Sequence, residues 1–256
     1  MKTTDTTTRI KGYLQALKLN RIASTLEEEL AKASREATHC IELLERLLAM
    51  ETNALTERQI ERRIKEAKLP ERKLFIDFDF VFQTGVDKRQ IMDLATVSFA
   101  SRRQGVIIAG NSGTGKSHIA KALLFTCCQK NFRCRYVTAS DMLRELWASL
   151  ADNTLEQKLK HFLAPEILLI DDVGFDRLEQ HDSRNACLFH KVIDGRYCKG
   201  STIITTNVDF KELGDYLGDP VITAATVDRM IHHSIIISIE GPSWRLYESK
   251  RLNAGK

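Results

Sequence analysis

Val106-Ile107-Ile108-Ala109-Gly110-Asn111-Ser112-Gly113-Thr114-Gly115-Lys116-Ser117 decides the fold of this chain. Four apolar residues read as a buried strand, a glycine-rich loop breaks it, and a helix opens near Lys116 and runs over 116–129. The loop has the spacing G-x-x-x-x-G-K-S of a phosphate-binding loop. Gly110, Gly113 and Gly115 let the backbone curl without Cβ clashes, so that successive N–H groups point inward at phosphate oxygens. The helix adds its positive N-terminal end. Lys116 is placed to reach the β- and γ-phosphates, and the Ser117 hydroxyl to ligate magnesium. The ligand implied is a nucleoside triphosphate with Mg2+.

Outward from this loop, strands are predicted at 106–109, 133–138, 166–171, 201–206 and 234–239, with helical stretches between them. That alternation predicts an α/β fold with a five-stranded parallel sheet. Ligands of such sheets bind at the carboxyl ends of the strands, where the loop lies. Residues 9–70 show helical spacing in Ile10, Tyr13, Leu14 and Leu17, then Leu26 and Leu30, then Ile41, Leu44, Leu47 and Leu48. Pro70 closes the run, and Thr52-Asn53 is a plausible break in it. The expected division is a small helical domain at 1–70, a linker and lead-in segment at 71–104, and the nucleotide-binding domain at 105–256. In the lead-in, Phe75, Phe78, Phe80 and Phe82 among Asp77 and Asp79 suggest an extended stretch against a surface. Asp87 is a candidate cap for a helix running to about Arg103. The threonine-rich start at 3–8 is expected to fray.

Composition bounds the class. No stretch has the apolar length of a membrane helix and the start carries no apolar signal region, so a soluble, cytoplasmic protein is expected, with no membrane partner. Six cysteines (Cys40, Cys127, Cys128, Cys134, Cys187 and Cys198) show no C-x-x-C pairing and read as buried small hydrophobes. The net charge of +4 is weak evidence for a polyanionic partner, so its distribution matters more. Arg58, Arg62, Arg63, Lys65, Lys68, Arg72 and Lys73 cluster, although Glu57, Glu61, Glu66 and Glu71 interleave them. Arg102 and Arg103 form a second group, Lys130, Arg133 and Arg135 a third, and Arg245, Lys250, Arg251 and Lys256 a fourth.

Glu166-Ile167-Leu168-Leu169-Ile170-Asp171-Asp172 is an apolar strand ending in two carboxylates. Beside a phosphate loop, Asp171 suits the acid that holds magnesium and Asp172 the base that polarises the attacking water. The alternative is a strand closing in an Asx turn. Asn207, after Ser201-Thr202-Ile203-Ile204-Thr205-Thr206, either faces the γ-phosphate or caps a turn. Arg229 either reaches a neighbouring subunit's site or pairs with a carboxylate such as Asp228.

Taken together, these stretches resemble the AAA+ P-loop ATPases, and within them the IstB family, the helper ATPases of insertion-sequence transposition, with the DnaC helicase loaders as relatives. The matches are residues 110–118, Leu168-Leu169-Ile170-Asp171-Asp172-Val173-Gly174, 201–207, Val227-Asp228-Arg229-Met230-Ile231-His232-His233 and Gly241-Pro242-Ser243-Trp244-Arg245-Leu246. In the N-terminal part they are 42–48, 62–70 and Phe78-Asp79-Phe80. The resemblance implies ATP binding by Gly110, Asn111, Ser112, Gly113, Thr114, Gly115, Lys116, Ser117 and His118, with magnesium on Ser117 and Asp171. It implies catalysis by Lys116, Asp172, a sensor Asn207 and an arginine finger Arg229, with Arg196 a weaker candidate finger. Many AAA+ enzymes carry Glu where Asp172 stands. Residues 240–256 are too few for a full C-terminal lid, so the lid is expected to be reduced or missing, with Arg245 a candidate replacement for its arginine. The implied function is ATP-dependent, head-to-tail self-assembly, in a ring or helical homo-oligomer, on duplex DNA that is delivered to a cognate transposase. The implied DNA contacts are Arg58, Arg62, Arg63, Lys65, Lys68, Arg102 and Arg103. A DnaC-like helicase loader is the alternative.

Overall fold

A computed structural model of the chain describes residues 2–174, 183–209, 212–213 and 217–254. The chain divides into two compact units, Met1–Arg62 and Arg63–Lys256. The division falls within a helix, ahead of Pro70, and the whole lead-in belongs to the second unit.

The first unit is built from α1 (Lys2–Ala16), α2 (Asn20–Glu36) and most of α3 (Cys40–Glu66). Ile22, Leu26 and Leu47 form its core, with Leu14, Leu19 and Leu43 packed against them. Tyr13, Leu17, Ile41 and Leu44, which helped to signal the helices, are exposed. Helix α2 follows Leu19, which offers no side-chain cap. Buried Glu51 of α3 supplies one instead: its carboxylate accepts the Ile22 N–H at 2.9 Å and pairs with Arg58 at 3.1 Å. A carboxylate at a helix N-terminus meets both an orphan donor and the helix dipole.

Two expectations for this unit fail. Thr52-Asn53 lies inside α3, where the Thr52 hydroxyl donates back to the Leu48 carbonyl at 2.8 Å and leaves the helix unbroken. The breaks come at Lys18 and Ala37, which take left-handed φ of 60° and 50°. The stretch 3–8 lies within α1 rather than in a frayed end.

The second unit is the expected α/β fold. Strands β1 (Gly105–Gly110), β2 (Cys134–Thr138), β3 (Ile167–Val173), β4 (Ser201–Thr206) and β5 (Ser234–Ile239) form a parallel sheet in the order β2-β3-β4-β1-β5. Ile107, Leu168, Leu169, Ile170, Ile203 and Ile204 are buried on the central strands. Strands covered on both faces read as continuous apolar runs, which is why the sequence reveals them. Around them lie α4 (Lys88–Ala95), α5 (Ser98–Ser101), α6 (Lys116–Gln129), α7 (Ala139–Ala151), α8 (Leu155–Leu163), α9 (Ser183–Arg196), α10 (Pro220–His232) and α11 (Trp244–Ala254). Among the described residues α11 alone follows β5. The edge strand β2 is covered in part by the turn after α3, where the Tyr136 N–H donates to the Ala67 carbonyl at 2.7 Å.

Asp87 caps α4, accepting the Arg89 N–H at 2.8 Å. The helix stops at Ala95 because Val97 turns left-handed, at φ 65°, well short of Arg103. The phenylalanine segment is not extended. It forms a 3-10 turn at Phe75–Asp77, then a turn in which the Asp79 carboxylate accepts the N–H groups of Val81 and Phe82, both at 2.9 Å. Cys127, Cys128 and Cys134 are buried as expected, but Cys40, Cys187 and Cys198 are exposed. Cys40 begins α3, and Cys198 sits in a left-handed turn after α9. Among the described residues no helix is long and apolar enough to cross a membrane.

Candidate nucleotide site

The loop after β1 is held open by its glycines and clamped from two sides. Gly113 and Gly115 have φ of 80° and 95°, the left-handed region that glycine enters without strain. A Cβ on Gly115 would meet the Phe78 ring at 2.6 Å, so the lead-in segment packs directly on the loop. Gln83 Nε2 donates to the Thr114 carbonyl at 3.0 Å, and the Trp244 N–H donates to the Gly113 carbonyl at 2.9 Å. The Gly113 and Thr114 carbonyls are thus tied down from outside the loop, and the Thr114 N–H is used inside it, on the Asn111 carbonyl at 3.4 Å. Lys116 Nζ donates to the Asn111 carbonyl at 2.8 Å. Burial lowers the Lys116 pKa, opposed by the negative charges of Asp172 and Asp171.

Beside the loop opens a cleft of about 800 Å³. Ser112, Gly113, Thr114, Gly115, Lys116, Ser117 and His118 line it, as do Asp172 and Asn207 from the ends of β3 and β4. Phe78 and Phe82 of the lead-in and Trp244 and Arg245 of α11 also line it. Phe78 meets the His118 ring edge-on, and Phe82 meets Trp244 at a centroid distance of 5.0 Å. The cleft lining therefore combines basic side chains with aromatic rings, groups suited to the phosphates and the base of a nucleotide.

The two acids of β3 are treated differently. Asp172 opens on the cleft. Partial burial and the neighbouring Asp171 raise its pKa, while Lys116, Lys121 and Arg245 pull it back. Asp171 lies behind it, 1% exposed. Thr205 Oγ1 donates to Asp171 Oδ1 at 2.5 Å, Tyr136 Oη donates to Oδ2 at 3.2 Å, and Lys121 Nζ stands 3.9 Å away. Burial and the Asp171 charge push the Tyr136 pKa up, so its phenol stays a donor. No group of three His, Cys, Asp or Glu among the described residues is arranged to cage a metal. One hydroxyl and one or two carboxylates suit magnesium, which takes its remaining ligands from phosphates and water.

Arg229 is not at this cleft. Its Nε pairs with Asp194 of α9 at 3.0 Å and its Nη1 lies 3.3 Å from His190 Nε2. The expected carboxylate partner is thus Asp194 rather than Asp228. Arg196 is excluded as a finger: it is buried, and its guanidinium donates to five carbonyls, those of Phe162, Leu163, Pro165, Glu166 and Ser201, and to the Thr202 hydroxyl.

The basic groups are dispersed. Arg58 pairs with Glu51 in the first unit and is about half exposed. In the second, Arg63 pairs with Glu66 and donates to Asn131, Arg102 donates to Ser98, and Arg103 reaches the Cys198 carbonyl. Arg62, Lys65 and Lys68 are exposed. Arg72 and Lys73, grouped with them by sequence, line the nucleotide cleft instead. Arg135 lies over the Phe162 ring and beside Glu145, which makes it a packing residue.

A sequence profile of the family described as IstB-like ATP binding protein matches residues 12–252. The chain belongs to this family. The ATP-binding protein of insertion sequence IS5376 from Geobacillus stearothermophilus is 37% identical to this IstB-like chain, over 97% of each. That of IS21 from Pseudomonas aeruginosa is 32% identical, over 94% of this chain and 90% of its own. Among solved structures, DnaI is similar at 22% identity and a TM-score of 0.55, covering 66% of this chain and 91% of that one. AMPPCP-bound DnaA from Aquifex aeolicus is similar at 20% and 0.55, covering 73% and 56%. Both are likenesses of fold. By family the chain is an IstB-like ATP-binding protein, and its fold is similar to those of DnaI and AMPPCP-bound DnaA.

Sequence reasoning missed Thr205, Lys121, Gln83 and Trp244. Thr205 had no distinguishing signal, being one of four hydroxyl residues in β4. Lys121 had one, since it follows Ser117 by four positions and so shares its helix face.

Proposed function

We propose that this IstB-like ATPase uses ATP to assemble head-to-tail on duplex DNA and presents that DNA to the transposase of its own insertion sequence. Hydrolysis then releases or remodels the complex. The insertion-sequence relatives support the setting. The observation that carries the assembly is the position of Arg229, which lines no part of its own chain's cleft and stands on α10 with a half-exposed partner, Asp194.

In this reading the loop N–H groups and Lys116 cradle the phosphates, and Lys116 leaves the Asn111 carbonyl to do so. Ser117 and Asp171 would hold the magnesium. The bound ion neutralises charge on the phosphates. Asp172 polarises the attacking water, Asn207 registers the γ-phosphate, and Arg229 of a neighbouring copy stabilises the charge of transfer. Arg245, which lines the cleft, takes the part of a lid arginine in this reading. Arg58, Arg62, Arg63, Lys65, Lys68, Arg102 and Arg103 contact DNA phosphates, giving binding that is weakly sequence-selective and strongly salt-dependent.

The test is particle size and DNA binding measured together, with ATP, ADP and no nucleotide. Assembly on duplex DNA in ATP alone supports the reading. Preference for single-stranded DNA with capture of a replicative helicase overturns it in favour of a helicase loader.

A further inference from the structure

The ladder between β3 and β4 slips where the two acids lie. Ile170 pairs with Ile204, but the next regular pair is Val173 with Thr206, so Asp171 and Asp172 together oppose Thr205. Asp172 takes a left-handed φ of 58°. A bulge of this kind re-aims a side chain, and here one acid is left in the core while the next opens on the cleft. A single buried hydroxyl spans the slip. Thr205 Oγ1 donates to the Asp171 carboxylate at 2.5 Å and accepts the Asp172 N–H at 2.8 Å. It is fully buried on a strand whose preceding residues, Ile203 and Ile204, are apolar.

We propose that Thr205 is a positioning residue of the ATPase, whose hydroxyl fixes the recessed acid and the cleft-facing acid relative to each other. This rests on the reading of Asp172 as the base. A hydroxyl has one proton to give and lone pairs to receive, and both are used on adjacent residues of β3. Valine has the same shape but neither function. Without the hydroxyl, the Asp172 N–H loses its acceptor and the left-handed turn loses its tie, so Asp172 drifts from the position of the attacking water. Phosphate binding by the loop does not depend on this contact. The signature is therefore a loss of kcat without a loss of nucleotide affinity.

The experiment uses the full chain with magnesium, ATP and duplex DNA, measuring steady-state hydrolysis beside the affinity for a fluorescent ATP analogue. Thr205→Val should lower kcat by about 100-fold, the scale of a catalytic group misplaced by an ångström, with unchanged analogue affinity. Thr205→Ser, which keeps the hydroxyl, should hold kcat near that of the unaltered chain. Asp172→Asn, run in parallel, separates the two ideas. If Asp172→Asn turns over normally, the base reading fails. If Asp172→Asn is inactive and Thr205→Val is fully active, the role of Thr205 fails alone. Serine as slow as valine would show that shape, not the hydroxyl, matters, and would overturn the proposal. Should Thr205→Val not fold, Thr205→Ala against Thr205→Ser makes the same comparison, and equal kcat values for that pair would overturn it.

Discussion

Arg229 is ion-paired to Asp194 of its own chain at 3.0 Å, on helices α10 and α9. Asp194 is about half exposed, and such a pair contributes roughly 0–1 kcal/mol, so it opens at little cost. Arg229→Ala should leave folding and nucleotide affinity intact while lowering DNA-stimulated turnover by about 10³-fold, the lower range for an arginine finger. Calorimetric melting and single-turnover hydrolysis check both halves.

Asp172 should report itself in the pH profile. Its raised pKa means that the base form is lost, as pH falls, above the ordinary aspartate value of about 3.9. The acid limb of kcat/KM, which titrates the free enzyme, should lie above that value and vanish with turnover in Asp172→Asn. An acid limb at the ordinary value would contradict the assignment.

Lys121 lowers the Asp172 pKa and contacts Glu71 at 3.2 Å. Lys121→Met removes a cation that favours the charged base. The acid limb should then move to higher pH, with nucleotide affinity little changed. A profile identical to that of the unaltered chain would show that Lys121 acts only in packing.

Arg196 is a stability residue. Burial alone lowers its pKa to about 10, and its guanidinium ties the end of α8 to the start of β4. Arg196→Ala leaves several buried carbonyls without donors, each costing about 1–3 kcal/mol. Urea unfolding should show a loss of at least about 3 kcal/mol.

The sheet was legible because β1 and most of β3 are apolar on both faces, and such runs have few other readings. The phosphate loop was legible because its glycines, lysine and serine have fixed spacing and each has one task. The helical breaks were not, because they depend on left-handed turns at Lys18 and Ala37, residue types that give no warning of positive φ. The lead-in misled because Phe78 and Phe82 pack on the loop and on Trp244, far away in sequence, and not along a surface. Thr205 was invisible for a related reason: its meaning lies in a one-residue slip between strands, which no single-strand pattern records.

The most direct measurement mixes two inactive chains. Lys116→Ala keeps Arg229 but lacks a working cleft, and Arg229→Ala keeps the cleft but lacks the arginine. If the site is shared between copies, mixing them on duplex DNA with ATP should restore hydrolysis that neither shows alone. If the mixture stays as inactive as its components while the two chains still co-assemble, Arg229 does not act on a neighbour's cleft, and the shared site is contradicted.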